Sequence, residues 1–330
     1  MLRMKKNLLS WCCCFALSTA VLASCSKDEA PDPTIASIAV SNPDFQVLED
    51  AAIRGEVAGI LSNKNPNDPQ GSGNFTVFAP NNAAFARLGL NSASDLLTLQ
   101  KPFLTSTLLY HVANGTLAGS SLQTGSTSAS ALGPVRRIIK KGNDSYVNGS
   151  RILATDVQAA NGTIHVIDKV LLATGGNVVE SALALKDAQV FIAPELSFLV
   201  EAVLYCELQG PLSTTPNITV FAPTDKAFKE LGVALGVPLN VPADIRKLPK
   251  ATVTAVLLNH VLAGGAKFTP ELPENTTVNS LGGAPVQLGT FTNGTITVKG
   301  TNNTTPATMV IPDVQATNGV VHVIDRVLLP

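Results

Sequence analysis

The sequence predicts an α+β protein built from two tandem copies of one domain, and three observations carry that prediction. A segment at 161–172, NGTIHVIDKVLL, returns 157 positions later as NGVVHVIDRVLL at 318–329. Other segments repeat in the same order, and their length differences fall in polar or Pro/Gly-rich stretches such as NKNPNDPQGSG and TNNTTPA, where folds tolerate insertions. Within each copy, helix-start signals come early and turn-bounded strands come late, the pattern of an α+β domain. An active site seldom needs to be spelled twice, whereas a repeated structural unit does.

Taken in order, the first element is a leader. MLRMKK supplies three positive charges, an apolar run follows to Ala20, and LASC ends at Cys25. The run is shorter than the ~20 residues a membrane span requires, so residues 1–24 read as a signal peptide and Cys25 as a lipidated first residue, as in bacterial lipoproteins. Residues 25–34 then form a polar, proline-bearing tether. With the leader go Cys12, Cys13, Cys14 and the single tryptophan, Trp11, leaving Cys206 as the remaining thiol. Cys206 shares a helical stripe with Leu199, Ala202 and Val203, the setting of a packed thiol rather than a reactive one. Loss of Arg3, Lys5 and Lys6 takes the formal charge from −1 to −4. No basic cluster remains, which argues against nucleic acid as a partner.

The first domain spans 35–173. Asn42, Pro43 and Asp44 form an N-cap, a first-turn proline and a dipole-favoured acid, ahead of Phe45, Leu48, Ala52 and Ile60 on one helical face. FTVFAP reads as a short alternating strand ending at Pro80, and NNAAFARLG as a capped helix ending at Gly89. Asn161-Gly162, like Asn318-Gly319, reads as a hairpin turn with both residues at its centre. A glycine linker, 174–176, leads into the second domain, 177–330; so short a connector keeps the copies adjacent and lets them bend at Gly175-Gly176. The second copy repeats these signals: PELSFLVEAVLYCELQGPL matches PDFQVLEDAAIRGEVAGIL at an offset of 151, and ITVFAPTDKAFKELG matches FTVFAPNNAAFARLG at 143.

All four histidines fall in repeated motifs. His111 of LLYHV pairs with His260 of LLNHV, and His165 pairs with His322. Leu104, Leu108 and His111 stand at i, i+4 and i+7, so His111 and His260 lie on buried stripes. His165 and Asp168 are three apart on a strand and point to opposite faces, which excludes a local His–Asp dyad. No metal-ligand or nucleophile motif of known spacing is present, and no cofactor is expected. Asp168 and Asp325 read as fold-closing carboxylates bonded to backbone amides. Tyr110 aligns with Asn259, which predicts a partly water-exposed position.

Three motifs, TVFAP, the Tyr-His segment and NGxxHVID, occur in the same order in both copies and resemble the signature boxes of the fasciclin-type domain. The resemblance implies a β-wedge carrying several helices, and adhesion or matrix-associated roles without catalysis. Through the family's Tyr-His motif it also implies binding at Tyr110 and His111. On this basis the chain is expected to be a non-enzymatic lipoprotein of the cell envelope that contacts a cell-surface or matrix protein or a polysaccharide. The acidic SKDE after Cys25 resembles signals for display on the outer face of the outer membrane. A polysaccharide-capture accessory of an uptake system and a structural envelope spacer are the alternatives.

Overall fold

The computed structural model describes residues 32–187 and 196–330. The leader, Cys25 and most of the tether lie outside the described residues. In the first copy the chain runs through helices α1 (Ile35–Ser41), α2 (Gln46–Arg54) and α3 (Ala58–Leu61), strand β1 (Phe75–Pro80), and helices α4 (Asn82–Ala86), α5 (Ala93–Leu96) and α6 (Lys101–His111). Seven strands follow: β2 (Val112–Asn114), β3 (Thr127–Ala129), β4 (Val135–Lys141), β5 (Asp144–Val147), β6 (Ser150–Ala159), β7 (Gly162–Ile167) and β8 (Leu172–Ala173). The first sheet has the order β2-β1-β7-β6-β5-β4-β3, with β1 and β7 parallel and the other pairs antiparallel.

The second copy begins with α7 (Val178–Asp187), α8 (Ser197–Tyr205), α9 (Gln209–Thr214), β9 (Ile218–Pro223), α10 (Asp225–Leu235), α11 (Lys250–Asn259) and β10 (Val261–Leu262). It closes with β11 (Thr276–Asn279), β12 (Pro285–Leu288), β13 (Val298–Gly300), β14 (Met309–Gln315) and β15 (Gly319–Ile324). These form a five-stranded sheet, β10-β9-β15-β14-β8, and a three-stranded sheet, β11-β12-β13. The α+β class is as the sequence predicts.

Three local expectations change. The helix beginning at Asn42 keeps its cap, since the Asn42 side chain accepts the Asp44 N–H at 3.0 Å, but it breaks after Arg54 because Glu56 takes a positive φ of 58°. Its buried face is Phe45, Val47 and Ala51, with Leu48 and Ala52 at the margin, and Ile60 is 46% exposed. FTVFAP is a strand, yet all six residues are buried, because β1 has neighbours on both edges and apolar layers on both faces. The turn between β6 and β7 centres on Ala160-Asn161, since Ala159 pairs with Gly162. Gly162 is required for a different reason: a Cβ there would overlap the Phe75 carbonyl oxygen, as one on Gly319 would overlap that of Ile218.

The connector does not act as a hinge. β8, the end of the first copy, joins the sheet of the second, with Leu172 opposite Val314 and Ala173 opposite Gln315. Beyond it, Thr174 N–H donates to Gln315 at 3.2 Å and Gly176 accepts from Thr317 at 2.8 Å. Backbone bonds on both sides of Gly175 hold it, and Asp32–Pro330 forms one compact unit.

Candidate functional site

The repeated motif residues assemble at corresponding places in each copy, and the structure shows what each does. His111 donates Nδ1–H to the Thr107 carbonyl at 2.7 Å and accepts the Leu171 N–H on Nε2 at 2.9 Å. His260 repeats this with Val256 at 2.7 Å and Leu328 at 2.8 Å. Both rings tie the end of a helix to the closing segment of the same copy. Burial pushes both imidazoles down to a pKa of about 4, because a charged ring would lose water and face an N–H donor.

His165 and His322 use the opposite tautomer. Each donates Nε2–H to a loop carbonyl, Leu117 at 2.8 Å or Lys267 at 3.0 Å. Each accepts on Nδ1 the N–H of an aspartate in the preceding strand, Asp156 at 3.3 Å or Asp313 at 3.1 Å. Those aspartates sit at bulges with positive φ, 60° and 67°, so the rings serve as partners for backbone that the bulge removes from the ladder. Burial lowers the pKa of both. The buried reading of the histidines therefore matches the structure.

Asp168 accepts from the Arg151 N–H at 2.7 Å and lies 3.6 Å from Arg87, while Asp325 accepts from the N–H of Thr308 at 2.7 Å and from its hydroxyl at 2.6 Å. Both carboxylates close a strand end on backbone amides, as expected. Cys206 is buried among Leu199, Ala202 and Val203.

Tyr110 requires correction. It is fully buried, as is Asn259, so the Tyr/Asn alignment marks a change in packing rather than a water-facing position. The Asn148 amide donates to the Tyr110 hydroxyl, which in turn donates to Gln315 Oε1 of the second copy. Arg136, also fully buried, donates to the Tyr110 carbonyl at 2.6 Å and lies over the Phe78 ring at 4.9 Å. The corresponding β12 position is Val286. Tyr110 and His111 thus present no open face to a partner, and the tyrosine belongs to the seam between the copies.

That seam is polar at its centre. Lys169 Nζ, buried, donates to Asp313 Oδ2 at 2.7 Å, to the Gly294 carbonyl at 2.6 Å and to Thr269 Oγ1 at 3.2 Å. Arg137 pairs with Glu271 at 2.8 Å above the Phe268 ring, and Lys141 pairs with Glu274 at 2.6 Å. Asn161 and Asn318, read from sequence as turn residues, are clamps. Asn161 accepts from Ile35 N–H at 2.9 Å and donates to the carbonyls of Leu61 and Asn63, while Asn318 does the same with Val178, Leu212 and Thr215. Their identical place in both copies was the available signal; Asp313 carried the same signal through Asp156, whereas the pairing of Lys169 with Asp313 had none, because it joins one copy to the other.

The Fasciclin domain family model matches residues 44–173 and 194–330. Protein sll1483 of Synechocystis is 35% identical over 155 residues, covering 47% of this chain and 80% of that protein. Transforming growth factor-beta-induced protein ig-h3 of Sus scrofa is 28% identical over 264 residues; the match covers 79% of this chain but only 35% of that longer protein. The solved domain pair of the insect cell adhesion molecule Fasciclin I is 16% identical with a TM-score of 0.38, covering 89% of this chain and 96% of that one. The family match takes in both copies in tandem, and the chain belongs to the fasciclin-domain family.

Proposed function

We propose that the protein is a non-enzymatic, lipid-anchored protein of the cell surface that uses its paired domains for adhesion to another cell or to a matrix polymer. The observation that carries this reading is that the chemistry repeated in both copies is spent inward. Both nitrogens of every histidine are engaged by backbone groups, which leaves the outer faces of a stiff two-domain body for binding. The basic, apolar leader ending at Cys25 supports anchoring. Among the described residues no helix is long and apolar enough to cross a membrane.

Two measurements test this reading. Cys25→Ala should abolish labelling by a fatty-acid analogue and release the protein into soluble fractions; undiminished labelling would sink the anchor. The mature protein should bind saturably to cells or to an immobilised matrix polymer, and binding to none of them would favour an inert spacer.

A polysaccharide ligand has one observation in its favour. A cleft of about 470 Å³ opens between the copies, lined by Arg87, Arg151, Lys141, Asp144, Glu274 and Phe291. Its volume suits a small ligand, and its paired cations and carboxylates suit sugar hydroxyls. Saturable binding to a glycan array, lost in Arg151→Ala, would select this reading over protein adhesion.

A further inference from the structure

Strand β6 of the first copy is the counterpart of β14 of the second, with Ile152–Ala159 aligned on Met309–Ala316. Both bulge at an aspartate that gives its N–H to a histidine, and both aspartates accept a backbone N–H, from Gly119 at 2.8 Å and from Thr269 at 2.6 Å. They differ in what covers them. β14 receives β8 on its edge and Lys169 on the second oxygen of Asp313, so Ile311, Asp313 and Val314 are buried. On β6 residues 153–158 are all exposed, Leu153 at 46% and Val157 at 37%. Among the described residues Asp156 has no ion-pair partner.

We propose that the β6 edge is a socket for the C-terminal segment of a second copy of this chain, so that molecules join head to tail through the contact that joins the two domains within each. The plug is present in sequence. In DRVLLP, Arg326 stands where Lys169 stands in DKVLLA, and Leu329 stands where Leu172 pairs with β14. The Arg326 side chain is 42% exposed and held loosely, with Glu230 at 3.9 Å; it supplies the cation that Asp156 lacks. Leu329 gives its N–H to Asn303 Oδ1 at 2.8 Å and accepts the Asn302 N–H at 3.3 Å, bonds that addition to the open β6 edge would exchange for ladder bonds, and a head-to-tail contact that does not close yields strings rather than dimers.

The competing occupant is the chain's own tether. Its residue aligned with Thr174 is Pro31, which has no N–H to repeat the bond from Thr174 to Gln315, and Asp28 and Glu29 before it carry the same charge as Asp156. The contact between molecules is weaker than the one within. Gln287 and Ser121 occupy the positions of Arg137 and Glu271, so that ion pair has no counterpart. The inference goes beyond the adhesive reading and holds whatever ligand the outer faces take.

The test uses the mature chain from Ser26 to Pro330, made without the leader and Cys25, which removes lipid-driven association and leaves Cys206 as its one native thiol. Its sedimentation coefficient should rise with concentration. Asp156→Asn, which keeps an oxygen for Gly119, and Arg326→Gln should each weaken association about tenfold while leaving the melting curve unchanged. A mixture of Asp156→Cys and Arg326→Cys chains should form a mixed disulfide under mild oxidation, and neither should cross-link with itself at a similar rate; Cys206 is buried and stays out of the reaction. A chain that remains monomeric to about 1 mM, or one whose association ignores both charge substitutions, would overturn the proposal.

Discussion

Tyr110 and Asn259 occupy one position in two copies and solve different problems there. Tyr110 packs against Arg136 and reaches across the seam to Gln315. Asn259 donates to the Leu328 carbonyl of its own copy at 3.2 Å. Tyr110→Phe should therefore cost about 1–2 kcal/mol by removing one buried hydroxyl from a bonded chain. Tyr110→Asn should cost about 3 kcal/mol or more, because a cavity opens beside a buried guanidinium. Urea unfolding of the two variants checks this, and a change under about 0.5 kcal/mol for Tyr110→Asn would restore the exposed reading. The histidines give a pH prediction with a definite sign. Their folded pKa, about 4 for His111 and His260, lies below the unfolded value of about 6.5, so the unfolded chain binds more protons between these values. Their stabilising contribution is complete above about pH 6.5 and is lost as pH falls towards about 4. Unfolding midpoints measured across that window should decline steadily, and His111→Ala should lower the midpoint at neutral pH.

At the scale of elements, the helices and the hairpin of each copy are joined by one asparagine. Asn161 holds the N-terminus of α1 and two carbonyls at the C-terminal end of α3, and Asn318 holds the corresponding points of the second copy. Asn161→Ala would leave buried donors and acceptors unmatched and should cost about 2–3 kcal/mol. The loss should be local: α1 carries one buried residue, Ile35, so its amides should exchange with solvent well before those of β1 and β7. Uniform acceleration across the first copy would contradict the clamp. The repeat made this asparagine visible while turn statistics assigned it the wrong task. Its neighbour Gly162 was legible as an obligatory glycine, but close approach of the Phe75 carbonyl, rather than turn geometry, makes it so.

For the whole molecule the decisive feature is the seam. Lys169 and Asp313 are buried as a pair, and Asp313 also accepts from the backbone and hydroxyl of Thr269. Removing one member of such a pair leaves a charge without its partner and typically costs 3–5 kcal/mol. Calorimetry of the parent should thus show the two domains melting together, and Lys169→Met should separate the transitions. Independent melting of the parent domains would show that the seam does not couple them. Coupling also bears on the proposed adhesion, since a stiff pair presents its outer faces at a fixed spacing and loses little freedom on binding.

What the sequence by itself determined is what each copy repeats: the α+β class, the doubled domain, the buried histidines and the strand-closing aspartates. These rest on local periodicity and on bonds between residues of the same copy, and so they recur wherever the motif recurs. Only the tertiary structure decided the burial of Tyr110, the role of Lys169 and the loss of hinge freedom at Gly175-Gly176. Each of these depends on a partner more than 100 residues away in the other copy, Gln315 or Asp313, or on β8 crossing into the second sheet. A repeat shows how a domain is built, but it is silent about the contact between domains, where the two copies must differ.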